Sequence, residues 1–292
     1  MMPIILEVPT IYDSLFHFDR LFGLWSQVND DFLDVRLRFS RCTFLKQNAV
    51  SFLGGLARLI EHRGGTASFE WDTLNDRIRT NLAQQGFLAE FGCPGGPWTG
   101  NSIPYREDRT LNKNDLLDYL KSKWLGRGWV NVSVGLRDAI VGHVWEIYVN
   151  AFEHANSAVG IFSCGQHYPN KGLLDLTVTD FGVGIPSNVR WFARNPELPA
   201  GRAIQWAFQP GTTTKPNGMG RGMGLDLLKE FVRVNNGRLE VFSHDAYARI
   251  GENEERYEIR DKPFEGTLLN ISLRCDDTYY CLQSEVEDTP LF

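Results

Sequence analysis

Three polar side chains at helical spacing could hold a magnesium nucleotide. Residues 146–153 run Glu-Ile-Tyr-Val-Asn-Ala-Phe-Glu, and spacings of four and three residues put Glu146, Asn150 and Glu153 on one helical face. The amide oxygen of Asn150 suits Mg²⁺ and adds no charge that would repel phosphates. Glu146, one turn earlier, could orient or deprotonate a water aimed at a γ-phosphate. Taken alone, the pattern is more typical of a surface helix with solvated carboxylates.

A second segment ends an apolar strand with a carboxylate and two glycines. Residues 178–186 run Val-Thr-Asp-Phe-Gly-Val-Gly-Ile-Pro. Asp180 could accept a hydrogen bond from an exocyclic amine, and the missing Cβ atoms of Gly182 and Gly184 would let a flat ring approach the backbone. The alternative is an Asx turn at a strand end, where Asp and Gly are common.

A third segment is rich in glycine and precedes a predicted helix at 225–235. Residues 211–224 run Gly-Thr-Thr-Thr-Lys-Pro-Asn-Gly-Met-Gly-Arg-Gly-Met-Gly. Such a loop presents free N–H groups and the positive end of a helix dipole to phosphate, and Lys215 and Arg221 could add charge-assisted contacts. The alternative is a merely flexible loop. The pattern is not that of a P-loop, which needs Gly-x4-Gly-Lys-Ser/Thr.

The order of these segments resembles the GHKL superfamily of sensor histidine kinases, gyrase-type topoisomerases, mismatch-repair ATPases and heat-shock chaperones. The resemblance covers roughly residues 130–275. Five segments resemble the motifs of that family: Glu146-x3-Asn150-Ala151 the N box, 180–186 the first glycine box, 208–215 the lid of histidine kinases, 220–228 the second glycine box, and Gly266-Thr267 the last motif.

The resemblance implies that the chain binds ATP and Mg²⁺ in an α/β sandwich, a mixed sheet under helices with the nucleotide between helix and lid. It implies that Asp180 binds the adenine amino group, that Asn150 holds the Mg²⁺, and that Glu146 matches the general base of the hydrolysing branch. The residues expected to contact ATP are Asn150, Glu153, Asp180, Gly182, Gly184, Thr214, Lys215, Gly220, Arg221, Gly222, Met223, Gly224, Leu225 and Thr267.

Strands and helices alternate in the part of the chain before these motifs. The pattern predicts strands at 3–9, 34–40 and 66–71 and helices at 11–28, 44–62 and 73–90. This alternation predicts a small α/β domain with a largely parallel sheet. The order, and residues 35–50, resemble a STAS-type domain, which implies a protein-interaction role. The family's phosphorylated serine would fall near Gln47 or Asn48, so regulation by phosphorylation there is not expected.

We divide the chain into four segments of an α/β (α+β) protein. These are a STAS-like α/β interaction domain at 1–92, a linker and connecting helix at 93–130, a GHKL ATP-binding domain at 131–282 and an acidic tail at 283–292. A run rich in glycine and proline near residue 92 marks the first boundary. In the later segments we predict helices at 113–125, 133–156 and 188–208, and strands at 158–164, 173–179, 238–243 and 266–274.

Composition and charge argue against several classes of protein. The net charge of −6 over 292 residues lacks the excess of positive charge that is typical of nucleic-acid-binding proteins. No signal peptide and no apolar run of the length a membrane span requires is evident. The five cysteines are scattered and odd in number, which argues against a disulfide framework. We expect a soluble cytoplasmic protein with no nucleic-acid or membrane partner.

Two functions remain open from the sequence. One is an ATPase or protein kinase that hydrolyses ATP or transfers its γ-phosphate, acting in signalling with an unidentified partner protein. The other is an ATP-gated protein-binding switch with little catalysis. None of the six histidines begins a sensor-kinase phosphoacceptor motif, so ordinary autophosphorylation is not expected. A topoisomerase-type clamp is disfavoured by the lack of positive charge, and a homo-oligomer is left open.

Overall fold

A parallel sheet of three strands forms the N-terminal part of the computed structural model, which describes residues 2–95, 98, 100–209, 212 and 224–287. Its strands are β1 (Ile4–Glu7), β2 (Asp34–Arg38) and β3 (Thr66–Phe69). They alternate with helices α1 (Leu15–Ser26) and α2 (Gln47–His62), and α3 (Asp76–Gln84) and α4 (Phe87–Glu90) follow. The predicted alternation and the parallel sheet are confirmed. The predicted helix at 73–90 is broken at Gly86, whose φ of 78° lies in the left-handed region.

A second sheet of five strands occupies the rest of the chain. Its strands are β4 (Ser102–Asp108), β5 (Ile161–Tyr168), β6 (Leu173–Asp180), β7 (Arg238–Gly251) and β8 (Glu254–Arg274), and they lie in the order β4-β5-β6-β8-β7. The α+β class is confirmed. Every pair of neighbouring strands in this sheet is antiparallel, whereas a mixed sheet was expected.

Helices cover one face of the second sheet, called the front face below. They are α6 (Val134–His154), α7 (Gly184–Ala193), α8 (Ala200–Ala207) and α9 (Gly224–Val234), while α5 (Lys113–Asp118) packs against α6. Helix α6 begins close to its predicted start because Ser133 caps it. The Ser133 side chain accepts a hydrogen bond from the Leu136 N–H. The predicted helix at 188–208 is two helices, α7 and α8, and the interruption contains Pro196 and Pro199, which disfavour helix continuation.

The sequence did not reveal two parts of the second sheet. Strand β4 lies inside the range predicted as a linker, at 93–130, and it pairs with β5. Strands β7 and β8 extend well beyond the predicted 238–243 and 266–274, and they form a long hairpin. Its far end carries charges that pair across the strands, such as Arg249 with Glu254. Charged residues in this pattern favour a loop prediction, which explains the error. The domain boundaries themselves stay predictions.

The back face of the second sheet packs against α2, so the N-terminal part lies directly behind β6. This contact is polar as well as apolar. The Ser51 hydroxyl lies 2.9 Å from the carbonyl oxygen of Phe162 and 2.9 Å from Thr179 Oγ1. Gln47 Nε2 donates to Asn270 Oδ1 over 3.1 Å. Side chains alternate across a strand, so β6 presents polar residues to α2 and apolar residues to the front helices.

The C-terminal segment begins with the short helix α10 (Gln283–Glu287). Residues 288–292 of the predicted acidic tail lie outside the described residues. Within the described part of the chain, no helix combines the length and apolarity that crossing a bilayer would require.

Candidate functional site

A cavity of about 180 Å³ lies between the front face of the second sheet and helices α6, α7 and α8. Apolar side chains from three adjacent strands contribute to its wall: Val178 on β6, Val241 on β7 and Leu269 on β8. Two aromatic residues at the end of α8, Trp206 and Phe208, also line it. The cavity is therefore an apolar slot into which a few polar groups project, the usual build of a small-molecule site.

Four of the residues predicted from the sequence line this cavity. They are Asn150, Asp180, Gly184 and Thr267. Glu146, Glu153 and Gly182 do not line it, and Gly224 and Leu225 form the start of α9. The other predicted contacts lie outside the described residues: Thr214, Lys215, Gly220, Arg221, Gly222 and Met223.

Asp180 places a carboxylate in the apolar wall at the end of β6. Its side chain is buried, and Oδ1 accepts a hydrogen bond of 2.9 Å from the Gly182 N–H. Thr267 lies directly opposite on β8. Burial raises the pKa of Asp180 to about 7, although hydrogen bonds from Gly182 and Thr267 favour the ionised form. A buried carboxylate of this kind is a ready acceptor for a ligand amine.

Replacing Asp180 with asparagine is expected to change how stability depends on pH. The folded protein holds the Asp180 proton more tightly than the unfolded chain, whose aspartate pKa is about 3.9. This carboxyl therefore makes the free energy of unfolding fall as pH rises between about 4 and 7. The Asp180→Asn variant lacks that fall, so its stability relative to wild type should rise by about 1 kcal/mol per pH unit in this window.

Urea unfolding at several pH values from 5 to 8 measures this difference. Asp138→Asn is a matched control, because that carboxyl is on α6 and its side chain is 44% exposed. The control should show no such rise with pH. A constant difference between wild type and Asp180→Asn at every pH would contradict the account of a buried, proton-retaining carboxyl.

The two glycines that follow Asp180 have different roles. Gly182 packs against the end of α6, where a Cβ atom would lie 1.9 Å from the Ala155 carbonyl oxygen. The next residue, Val183, donates its N–H to the same oxygen over 2.7 Å. Gly182 therefore fits the turn to the helix, whereas the sequence argument expected it to admit a ring. Gly184 does line the cavity, with a φ of 75° that favours glycine.

The face of α6 that lines the cavity differs from the polar face predicted from the spacing of Glu146, Asn150 and Glu153. The lining residues on this helix include Ile147, Asn150, Ala151 and His154, and Asn150 is at the exposed edge of the lining face. Glu146 lies one turn earlier. Its buried Oε2 atom has no hydrogen-bond partner among the described residues. A buried carboxylate oxygen without a partner is costly, so a ligand or water at this point would stabilise it.

Ser243 is a functional candidate that the sequence argument missed. Its side chain is fully buried, accepts a hydrogen bond of 2.8 Å from the Ile185 N–H, and lies 2.9 Å from Thr267 Oγ1. It also donates to the Gly266 carbonyl oxygen over 3.1 Å. Ser243 thereby joins the start of α7 to the strand that carries Thr267. Ser243 is the last residue of the strand predicted at 238–243, and a serine there gives no sequence signal for this role.

Asn150 at the edge of the cavity could supply one oxygen ligand to a metal ion. Among the described residues, no cluster of three or more His, Cys, Asp or Glu side chains could hold a metal ion. Mg²⁺ keeps several waters and commonly takes one or two protein oxygens beside substrate phosphates. Asn150 at the edge of the cavity fits that pattern.

No protein-family model matches this chain, and comparison with curated proteins yields no match.

Proposed function

We propose that the cavity binds Mg·ATP, with the adenine ring in the apolar slot and its amino group against Asp180. The observation that carries this proposal is the buried carboxylate in a mainly apolar wall. A buried carboxylate is stabilised by each hydrogen bond that it accepts, and an exocyclic amine would add a donor to those of Gly182 and Thr267. Val178 and Leu269, which are directly opposite each other on β6 and β8, offer apolar surface to one face of a flat ring.

The phosphates would extend towards Asn150 and the first turn of α9. Helix α9 begins at Gly224 and packs against α6, the helix that carries Asn150. The start of a helix offers unpaired N–H groups and a positive dipole end, which favour anions. Asn150 would take one coordination position of Mg²⁺, an ion that when bound would offset the charge of the phosphate oxygens.

For the reaction, we propose that the protein hydrolyses ATP or transfers its γ-phosphate to a partner protein, as a GHKL-type signalling enzyme of the cytoplasm. The unpartnered oxygen of Glu146, one turn from Asn150, supports a role in orienting or deprotonating the attacking group. A STAS-like N-terminal part would supply the surface for the partner.

The alternative is an ATP-gated switch that binds a partner with little catalysis. The contact of α2 with the back of β6 favours it, because the strand that ends in Asp180 then touches the predicted interaction domain. Nucleotide binding on the front face could change that contact without any phosphate transfer.

One experiment tests the proposal and separates these functions. The purified protein is incubated with Mg²⁺ and γ-labelled ATP, alone and with cell lysate. Label released as free phosphate indicates an ATPase, and label on a second protein indicates a kinase. Bound nucleotide with label that stays on ATP favours the switch. Failure of the protein to bind ATP at all would refute the proposal.

A further inference from the structure

The residue after Asp180 inserts its ring into the N-terminal part of the molecule. Phe181 is buried, and its ring centre lies 5.3 Å from that of Phe52 on α2 and 5.2 Å from that of Phe264 on β8. It also reaches the backbone of α2 at Gly55, where a Cβ atom would lie 2.2 Å from Phe181 Cε2. Glycine at position 55 is thus what lets this ring lie against the helix.

The same turn is held from the opposite side by the end of α6. Gly182 has no room to move towards Ala155, and the Val183 N–H is bonded to the Ala155 carbonyl oxygen. The turn from Asp180 to Val183 is therefore clamped between α6 in front and α2 behind. A displacement of Phe181 by α2 must shift the backbone that carries Asp180, because a close-packed interior transmits strain.

We propose that α2 positions the nucleotide-binding carboxylate through the packing of Phe181 on Gly55, so that the N-terminal part tunes nucleotide affinity. This inference rests on the proposed function. Gly55 and Phe181 are positioning residues, since among the described residues that line the cavity neither appears. The coupling is reciprocal by thermodynamic linkage, so nucleotide bound at Asp180 also stabilises the position of α2.

The test measures Mg·ADP affinity by calorimetry in wild type, Gly55→Ala and Gly23→Ala. Gly23 is a matched control in helix α1, because a Cβ atom there would meet nothing within 4 Å. We expect Gly55→Ala to weaken Mg·ADP binding about tenfold, a typical effect of an overpacked contact, and Gly23→Ala to leave it within about twofold. Wild-type affinity in folded Gly55→Ala would overturn the inference.

A rescue experiment separates positioning from general damage to the core. A Cβ atom on Gly55 would also lie 2.7 Å from Phe162 Cδ2. Phe162 is on β5, opposite Thr179, and its ring contacts that of Phe181, but it is not part of the turn from Asp180 to Val183. Adding Phe181→Leu to Gly55→Ala should recover more of the lost affinity than adding Phe162→Leu. Equal recovery by the two second substitutions would overturn the inference.

If Gly55→Ala does not fold, wild-type protein still decides the matter. Hydrogen exchange is measured with and without Mg·ADP, and amides of α2 at 47–62 should exchange more slowly with nucleotide. Protection confined to the cavity segments would overturn the inference. A wild-type protein that binds no Mg·ADP would instead refute the proposed function, so the two failures are distinguishable.

Discussion

Replacing Lys46 with methionine is expected to lower the free energy of unfolding by about 3–5 kcal/mol, the usual cost of leaving a buried charge without its partner. Lys46 is buried where the N-terminal part meets the second sheet, and its Nζ atom lies 2.8 Å from Asp175 Oδ2 and also bonds to Asp13. Burial disfavours the ammonium, but the carboxylates of Asp175 and Asp13 outweigh it and raise the pKa of Lys46.

The decrease in the free energy of unfolding caused by Lys46→Met should be larger at pH 8 than at pH 5. Burial raises the pKa of Asp175 although Lys46 lowers it, so removing Lys46 raises this pKa further. The folded variant then holds a proton that the unfolded chain releases, and its free energy of unfolding falls as pH rises.

Two further variants test whether the loss of stability in Lys46→Met comes from the buried ion pair. Adding Asp175→Asn to Lys46→Met should recover more than half of the lost stability, because the unpaired charge is gone. Lys121→Met is the matched control: its pair with Asp138 is 41% and 44% exposed, so the change should stay within about 0.5 kcal/mol. A control that loses as much as Lys46→Met would contradict a buried ion pair between the two parts.

The second large effect is expected when Glu146 is replaced with glutamine, and it concerns the rate of the reaction. If the protein turns over ATP, Glu146→Gln should slow phosphate release or partner labelling by at least about 100-fold, the lower end of general-base contributions. The glutamine keeps the shape of the side chain and removes its basicity. Affinity for Mg·ADP should stay within about threefold, because Glu146 does not line the cavity among the described residues.

Asp138→Asn on the same helix is the control for Glu146→Gln. Its carboxylate is exposed and pairs with Lys121. Turnover by this control should equal that of wild type. Unchanged turnover in Glu146→Gln would exclude Glu146 as the base.

The N-terminal elements were predictable because their patterns are local. Strand β2 alternates buried Val35 and Leu37 with more exposed arginines, as a strand with one buried face does. The start of α6 lies one residue from its predicted position, and the structure shows Ser133 as its capping residue. The cavity residue Asp180 could be found because it ends an apolar strand and glycines follow it, whereas Thr267 was expected only from the resemblance.

The contacts that join the two parts could not be predicted from the sequence. Gln47 and Ser51 are polar residues in an apolar helical pattern, and nothing local says that they bond to the back of a distant sheet. The role of Gly55 depends on a ring that lies 126 positions later in the chain, Phe181. Such partners follow from tertiary packing, which a single sequence does not encode in any short pattern.

The central claim is that the carboxylate of Asp180 accepts a hydrogen bond from the amino group of adenine. The most direct measurement titrates ATP and its 6-deamino analogue, purine riboside triphosphate, into wild type and Asp180→Ala, each with Mg²⁺. Wild type should prefer ATP by about 10- to 100-fold, the worth of a hydrogen bond to a charged group, and Asp180→Ala should lose that preference. An unchanged preference for ATP in Asp180→Ala would contradict the claim, as would equal affinity of wild type for the two nucleotides.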